Sequence, residues 1–142
     1  RLASHPYVVA VKEAGGSADR VSQILNCCEI SVLSGDDSLT LPMMVLGAKG
    51  VISVASNVIP AKVQKLTELA LAGKFAEARE LHFQLYDFFN VIFVETNPIP
   101  IKAACAAMGW MREEYRLPMC PMAPANKEKL LKVMRTDLGL DV

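Results

Sequence analysis

Three times within its first 73 residues the chain repeats one pattern: a short apolar run, a break rich in small or polar residues, then a helical period. Residues 7–11, Tyr-Val-Val-Ala-Val, end at Lys12 and break at Gly15-Gly16, as a fully buried strand would. Ser17 is placed to cap a following helix whose apolar positions Val21, Ile24 and Leu25 share one face. The second unit reads as a strand over 30–33, a loop Ser34-Gly35-Asp36-Asp37 and a short helix over 39–46 stopped by Gly47. The third reads as a strand over 50–54, a loop over 55–57 and a helix over 59–72, with Pro60 in its first turn and Gly73 just past its end. Short apolar strands alternating with helices imply parallel pairing, because each crossover returns the chain to the same edge direction.

After Gly73 the alternation stops. Phe75, Ala78, Leu81, Leu85, Phe89 and Ile92 keep a helical period through one long amphipathic segment. Asn97-Pro98-Ile99-Pro100 interrupts it, a helix over 101–108 ends at Gly109, and a last helix over 127–138 ends at Gly139. Residues 117–124 hold three prolines and are expected to be irregular. Three βα units do not close a barrel, which needs eight strands and about 250 residues. The alternative, a complete small doubly wound domain, would leave both sheet edges open. The expected architecture is therefore α/β, part of a (β/α)8 barrel over residues 1–73 followed by a helical extension over 74–142.

The 142 residues are 52% hydrophobic and 21% charged, the balance of an ordinary globular domain. Fifteen basic residues offset fifteen acidic ones, so no net field draws the chain to nucleic acid or to an anionic membrane. Cys27, Cys28, Cys105 and Cys120 have neither zinc-site spacing nor the density of a secreted disulfide scaffold, which points to half-buried thiols in a reducing cytosol. The opening Arg-Leu-Ala-Ser-His-Pro lacks the apolar core of a signal peptide and an initiating Met, and no later run approaches the roughly 20 residues that span a bilayer. A piece of a longer cytoplasmic product is the expectation.

Lys12 stands where the first strand ends, and in an α/β barrel that rim is where active sites are built. A lysine amine attacks a carbonyl only when unprotonated, and with an ordinary pKa of about 10.4 it needs an apolar setting to do so near neutral pH. The approach Val8-Val9-Ala10-Val11 offers such a setting. The competing reading is a lysine that marks the strand end and reaches solvent. Asp36 and Asp37 have no histidine beside them and, as adjacent residues, point apart, so a helix cap is expected rather than a metal site. His5 and His82 are too far apart in sequence, on unrelated elements, to suggest a triad, and Tyr86, Trp110 and Tyr115 read as packing or surface aromatics. No metal or cofactor is called for.

Several of these segments together resemble the dihydrodipicolinate synthase family. Val11-Lys12-Glu13-Ala14-Gly15-Gly16 is similar to the segment that holds the family's Schiff-base lysine. Ser34-Gly35-Asp36-Asp37 resembles the loop after its seventh strand, and Gly50-Val51-Ile52-Ser53-Val54 its eighth strand. Glu95-Thr96-Asn97-Pro98-Ile99-Pro100-Ile101-Lys102 resembles the junction within its C-terminal helical extension. The resemblance implies the last three βα units of a TIM barrel, followed by that extension.

It also implies a pyruvate-dependent, aldolase-type lyase of lysine biosynthesis in which Lys12 forms an imine with pyruvate and the derived enamine attacks aspartate semialdehyde. Ile52 would contact pyruvate through its peptide group, or else serve packing alone. Gly35 would let substrate approach the backbone, or simply satisfy a turn. Asn97 would face the active-site mouth, or hold its own turn. The family's proton relay of a threonine and two tyrosines, its carboxylate-binding arginine and its lysine-inhibitor sites all precede the Schiff-base lysine and have no counterpart here, so the chain alone is expected to be inactive. The family's dimers of dimers imply a homotetramer at full length. Within the superfamily, an N-acetylneuraminate lyase or keto-acid aldolase would use the same lysine, but Glu13-Ala14 and Gly35-Asp36-Asp37 favour the synthase. A noncatalytic interaction module or breakdown product is the reading from another class.

Overall fold

The computed structural model describes all 142 residues, and the βα alternation organises the first half of them. In chain order the elements are β1 (Ala10–Glu13), α1 (Asp19–Cys27), β2 (Ser31–Ser34), α2 (Thr40–Val45), β3 (Gly50–Val51), α3 (Pro60–Leu71), α4 (Phe75–Val91), α5 (Ile99–Ala107) and α6 (Pro124–Thr136). Single 3-10 turns precede α2 at Asp37–Leu39 and α3 at Ala55–Asn57. The strands form one parallel sheet in the order β1-β2-β3, with Lys12 opposite Leu33, Glu13 opposite Ser34 and Ser34 opposite Val51. This is the fold of three consecutive βα units of a (β/α)8 barrel and the helical extension that follows them.

Two expectations about the first unit need correction. The first strand lies at Ala10–Glu13 rather than over 7–11, so Lys12 sits inside the strand instead of just beyond it. Nor is that strand fully buried: Ala10 and Lys12 are exposed and only Glu13 is buried. The cause is pairing, since β1 has β2 on one side and no further strand on the other, and an edge strand keeps water along its free side. β2, paired on both sides, is where Val32 and Ser34 lose all solvent exposure. Ser17 also does not cap α1 through its side chain; Ala18 occupies the capping position, and the Arg20 N–H donates to the Ser17 backbone carbonyl at 3.2 Å.

The chain divides into two compact units. The first comprises Arg1–Ser53 and Ala61–His82. In it α1 and α2 pack on β2, and Val21, Val32, Met43 and Leu66 form the dry centre. The second comprises Val54–Pro60 and Phe83–Val142. There α5 packs on α6 and on the Ala55–Asn57 turn, and Leu85, Phe88, Phe89, Ile92, Leu130 and Met134 are buried. Pro100 falls in the first turn of α5 and Pro124 in that of α6, where a missing N–H costs no helical bond. No helix is long and apolar enough to cross a membrane.

Burial should separate two chemically identical changes. Leu130 has no solvent exposure and Leu117 is 93% exposed. Leu130→Ala is expected to cost about 2–5 kcal/mol through lost burial and the cavity it leaves, against less than about 0.5 kcal/mol for Leu117→Ala. Urea unfolding of the two variants, followed by circular dichroism, measures the difference.

Candidate active site

The C-terminal ends of the three strands are joined by bonds that continue the sheet ladder into the loops. Gly35, directly after β2, donates its N–H to the Glu13 carbonyl at 2.7 Å, and Ile52, directly after β3, donates to the Ser34 carbonyl at 2.8 Å. These two bonds bring Lys12, Gly35 and Ile52, three of the four residues singled out in the sequence, onto one edge of the first unit. Lys12 and Gly35 are in direct juxtaposition: a Cβ built on Gly35 would lie 2.9 Å from Lys12 Cε and 2.4 Å from Ala14 Cβ. Gly35 is not among the residues with positive φ, so what demands glycine here is space beside the lysine stem rather than a left-handed turn.

Lys12 itself is exposed, contrary to the expectation of an amine kept dry by its strand. Alternation along β1 explains the contrast with its neighbour: successive side chains take opposite faces, and Glu13 turns to the covered one, where it is 8% exposed. The Glu13 carboxylate accepts the Gly15 N–H at 2.7 Å and lies 3.9 Å from the Arg20 guanidinium, which ties the turn after the lysine to the start of α1. Ile52 is 48% exposed, so its side chain is not a packing element, and its ordered feature is the peptide N–H held by Ser34.

The aspartate pair also departs from expectation. Neither caps the 3-10 turn through its side chain. Asp37 is instead 1% exposed and its Oδ1 accepts the hydroxyl of Ser53, sixteen residues on. The loop between them is shaped by Ser34, whose hydroxyl donates to the Asp36 carbonyl at 2.8 Å and accepts the Asp36 N–H at 3.2 Å. Residue order alone carries no sign of the Asp37–Ser53 pair, because nothing in the spacing distinguishes it from a cap.

Asn97 belongs to the second unit, where it is exposed and precedes a cis peptide bond to Pro98. Its flanks are anchored by polar contacts of Glu95 and Tyr115, the latter expected only as a packing or surface aromatic. Glu95 accepts the Ala123 N–H at 3.0 Å and the Asn126 side-chain amide at 2.7 Å, so it serves the start of α6 in place of a capping residue. The Tyr115 hydroxyl reaches the Ile99 carbonyl at 3.4 Å and donates to Glu113 at 3.1 Å, while Glu113 also pairs with Lys127. Lys102 stands 5.2 Å from the centre of the Tyr115 ring. Burial, with the hydrogen bond and negative charge of Glu113 next, pushes the Tyr115 hydroxyl up to about 12.

Comparison with known proteins places these features in a frame. Residues 1–137 match the dihydrodipicolinate synthetase family. A 4-hydroxy-tetrahydrodipicolinate synthase of Aquifex aeolicus is 54% identical over 130 residues, which cover 90% of this chain and 44% of that protein. The crystal structure of dihydrodipicolinate synthase from the same organism superposes with a TM-score of 0.88 over 90% of this chain and 44% of that one. A chloride-inhibited dihydrodipicolinate synthase from Acinetobacter baumannii, complexed with pyruvate, is 33% identical with a TM-score of 0.94 over 99% of this chain and 48% of that one. The chain thus spans a little under half the length of the curated relatives it matches.

Two outcomes follow from this geometry. Gly35→Ala places its methyl inside contact distance of the Lys12 stem and Ala14, and is expected to cost about 1–3 kcal/mol by overpacking, read as a lower midpoint in urea. For Tyr115 the folded hydroxyl is the weaker acid, so the unfolded chain loses its proton first as pH rises. The stabilisation is complete below about pH 10, where an unfolded tyrosine stays neutral, and is lost as pH climbs through the folded value of about 12. Ultraviolet titration should resolve one tyrosinate transition near pH 12 that Glu113→Gln lowers only in part, because burial, the largest cause, remains.

Proposed function

The chain belongs to the dihydrodipicolinate synthetase family, and we propose that it carries the imine-forming lysine of a lyase that condenses pyruvate with aspartate semialdehyde in lysine biosynthesis. The observation that carries this reading is the placement of Lys12. It lies within a parallel strand, at the loop end of the sheet, with Gly35 held against its Cε and the Ile52 peptide on the next loop but one. On this division residues 1–73 hold the last three βα units and residues 74–142 the extension that carries Asn97.

In the proposed reaction the Lys12 amine adds to the ketone carbon of pyruvate, and loss of water leaves an imine. The protonated imine nitrogen withdraws electrons, so the adjacent methyl group releases a proton and becomes the nucleophilic carbon of an enamine. That carbon attacks the aldehyde of the second substrate, and hydrolysis of the imine returns the free amine. Gly35 leaves room for the three-carbon chain beside the lysine stem, and the Ile52 peptide offers its polar backbone to it; Asn97 is kept as a candidate substrate contact on the resemblance alone. The relative crystallised with pyruvate supports the choice of first substrate.

The exposure of Lys12 sets a condition on this chemistry. Lys12 is exposed in these 142 residues, so the proposed chemistry calls on residues outside them to shield the amine from water and to supply the proton relay. The isolated chain is therefore proposed to be inactive, and a barrel-length protein, in a cytoplasmic homotetramer, to be the working enzyme.

The test is borohydride reduction in the presence of pyruvate, followed by peptide mapping. It is run on the chain alone and on the chain fused behind the N-terminal part of the Aquifex aeolicus relative. The fusion is expected to trap pyruvate on Lys12 and to consume aspartate semialdehyde but not sialic acid. Lys12→Ala should remove the adduct and lower turnover by roughly a thousandfold or more, the scale of losing a nucleophile. An adduct that maps to another lysine, or one that persists in Lys12→Ala, would end the proposal.

A further inference from the structure

The hydrogen bond from half-buried Ser53 to buried Asp37 has no part in the reaction just described, yet it lies next to the peptide on which that reaction draws. Ser53 follows Ile52 directly, so the Ile52–Ser53 peptide is bracketed. On one side the Ile52 N–H is held by the Ser34 carbonyl at 2.8 Å. On the other the Ser53 hydroxyl is held by Asp37 Oδ1. Both anchors belong to the same loop, because Ser34 ends β2 and Asp37 opens the 3-10 turn three residues later. Ser34 stiffens the stretch between them by bonding to both the N–H and the carbonyl of Asp36.

A buried polar side chain keeps its place through its hydrogen bonds, and the one from Ser53 ties the loop after β2 to the loop after β3. Asp37 is 1% exposed and cannot itself meet substrate. We propose that Asp37 is a positioning residue that acts through Ser53 to fix the orientation of the Ile52 peptide toward pyruvate. The proposal rests on the reading of Ile52 as a pyruvate contact and assigns the specificity of that contact to a residue remote from the reacting atoms.

Two measurements test it separately from the function. The first is amide hydrogen exchange at Ile52 in the 142-residue chain, without substrate. Asp37→Ala and Ser53→Ala should each speed exchange by about tenfold, the order expected for losing one buried hydrogen bond, and Ser53→Thr, which keeps the hydroxyl, should restore the slow rate. The second is pyruvate-dependent borohydride trapping in the barrel-length fusion. The same two variants should raise half-saturating pyruvate by at least about fivefold while trapping at saturating pyruvate stays within about twofold, and Ser53→Thr should again restore the parent value. A role limited to stability would lower the melting temperature and leave half-saturation where it was, which overturns the proposal. Should Asp37→Ala fail to fold, Ser53→Ala decides alone. Absence of any adduct on Lys12 in the parent fusion would instead defeat the proposed function and remove pyruvate from this inference, while unchanged exchange at Ile52 would refute the positioning of the peptide whatever the function proves to be.

Discussion

The parallel ladder does not stop where the strands do, and the candidate site depends on that continuation. Two backbone bonds, Gly35 to Glu13 and Ile52 to Ser34, carry the register of the sheet one step past its regular edge. Each draws a loop against the strand before it, so residues 23 and 40 positions away from Lys12 in the chain come to stand at the same end of the sheet. A βα architecture gathers its chemistry on this side for a general reason: every strand ends there, and only the loops are free to vary without disturbing the core. The close approach of Gly35 to Lys12 Cε is the local consequence, since the ladder bond leaves no volume for a side chain at that position.

The same ladder accounts for the split between the two residues at the end of β1. Lys12 and Glu13 are neighbours with opposite fates, one exposed and one buried, because a strand turns successive side chains to opposite faces. On the covered face a carboxylate has to find donors, and Glu13 finds the Gly15 N–H and the Arg20 guanidinium. On the other face Lys12 has Gly35 beside its stem and is exposed in these 142 residues.

Much of the fold was legible because it is written in hydrophobic period. Three apolar runs of strand length and six helical segments each lie within a few residues of their observed bounds, and the stops at Gly47, Gly73 and Gly109 fall where helices end in left-handed glycines. The register error at β1 came from reading Tyr7, Val8 and Val9 as buried strand. Tyr7 is 88% and Val9 76% exposed, because hydrophobicity marks what a strand is able to bury, not whether a neighbouring strand is there to bury it. Lys12, Gly35 and Ile52 were legible through local motifs. Asp37–Ser53, Glu95–Asn126 and Tyr115–Ile99 were not, because each is a contact across 16 or more residues between side chains or backbone groups that carry no local pattern. Long-range polar pairs are consequences of the packed fold and are invisible to any reading that proceeds window by window.

The exposure of Lys12 bears on how an imine-forming site is built as much as on this chain. Holding a carbonyl compound and activating an amine are separable tasks: the first needs shape and backbone donors, the second needs the removal of water. In the proposed enzyme the loops after β1, β2 and β3 would serve the first task with a glycine cleared of its side chain and a peptide pinned on both sides. They do nothing for the second, since a three-stranded sheet whose lysine lies on an edge strand leaves one flank of that lysine open. Closing the flank requires strands beyond β1, so in the proposed enzyme the same event that completes the barrel would also free the amine. Coupling nucleophile activation to closure of the ring would keep a reactive lysine from forming imines with stray carbonyl compounds before folding is complete.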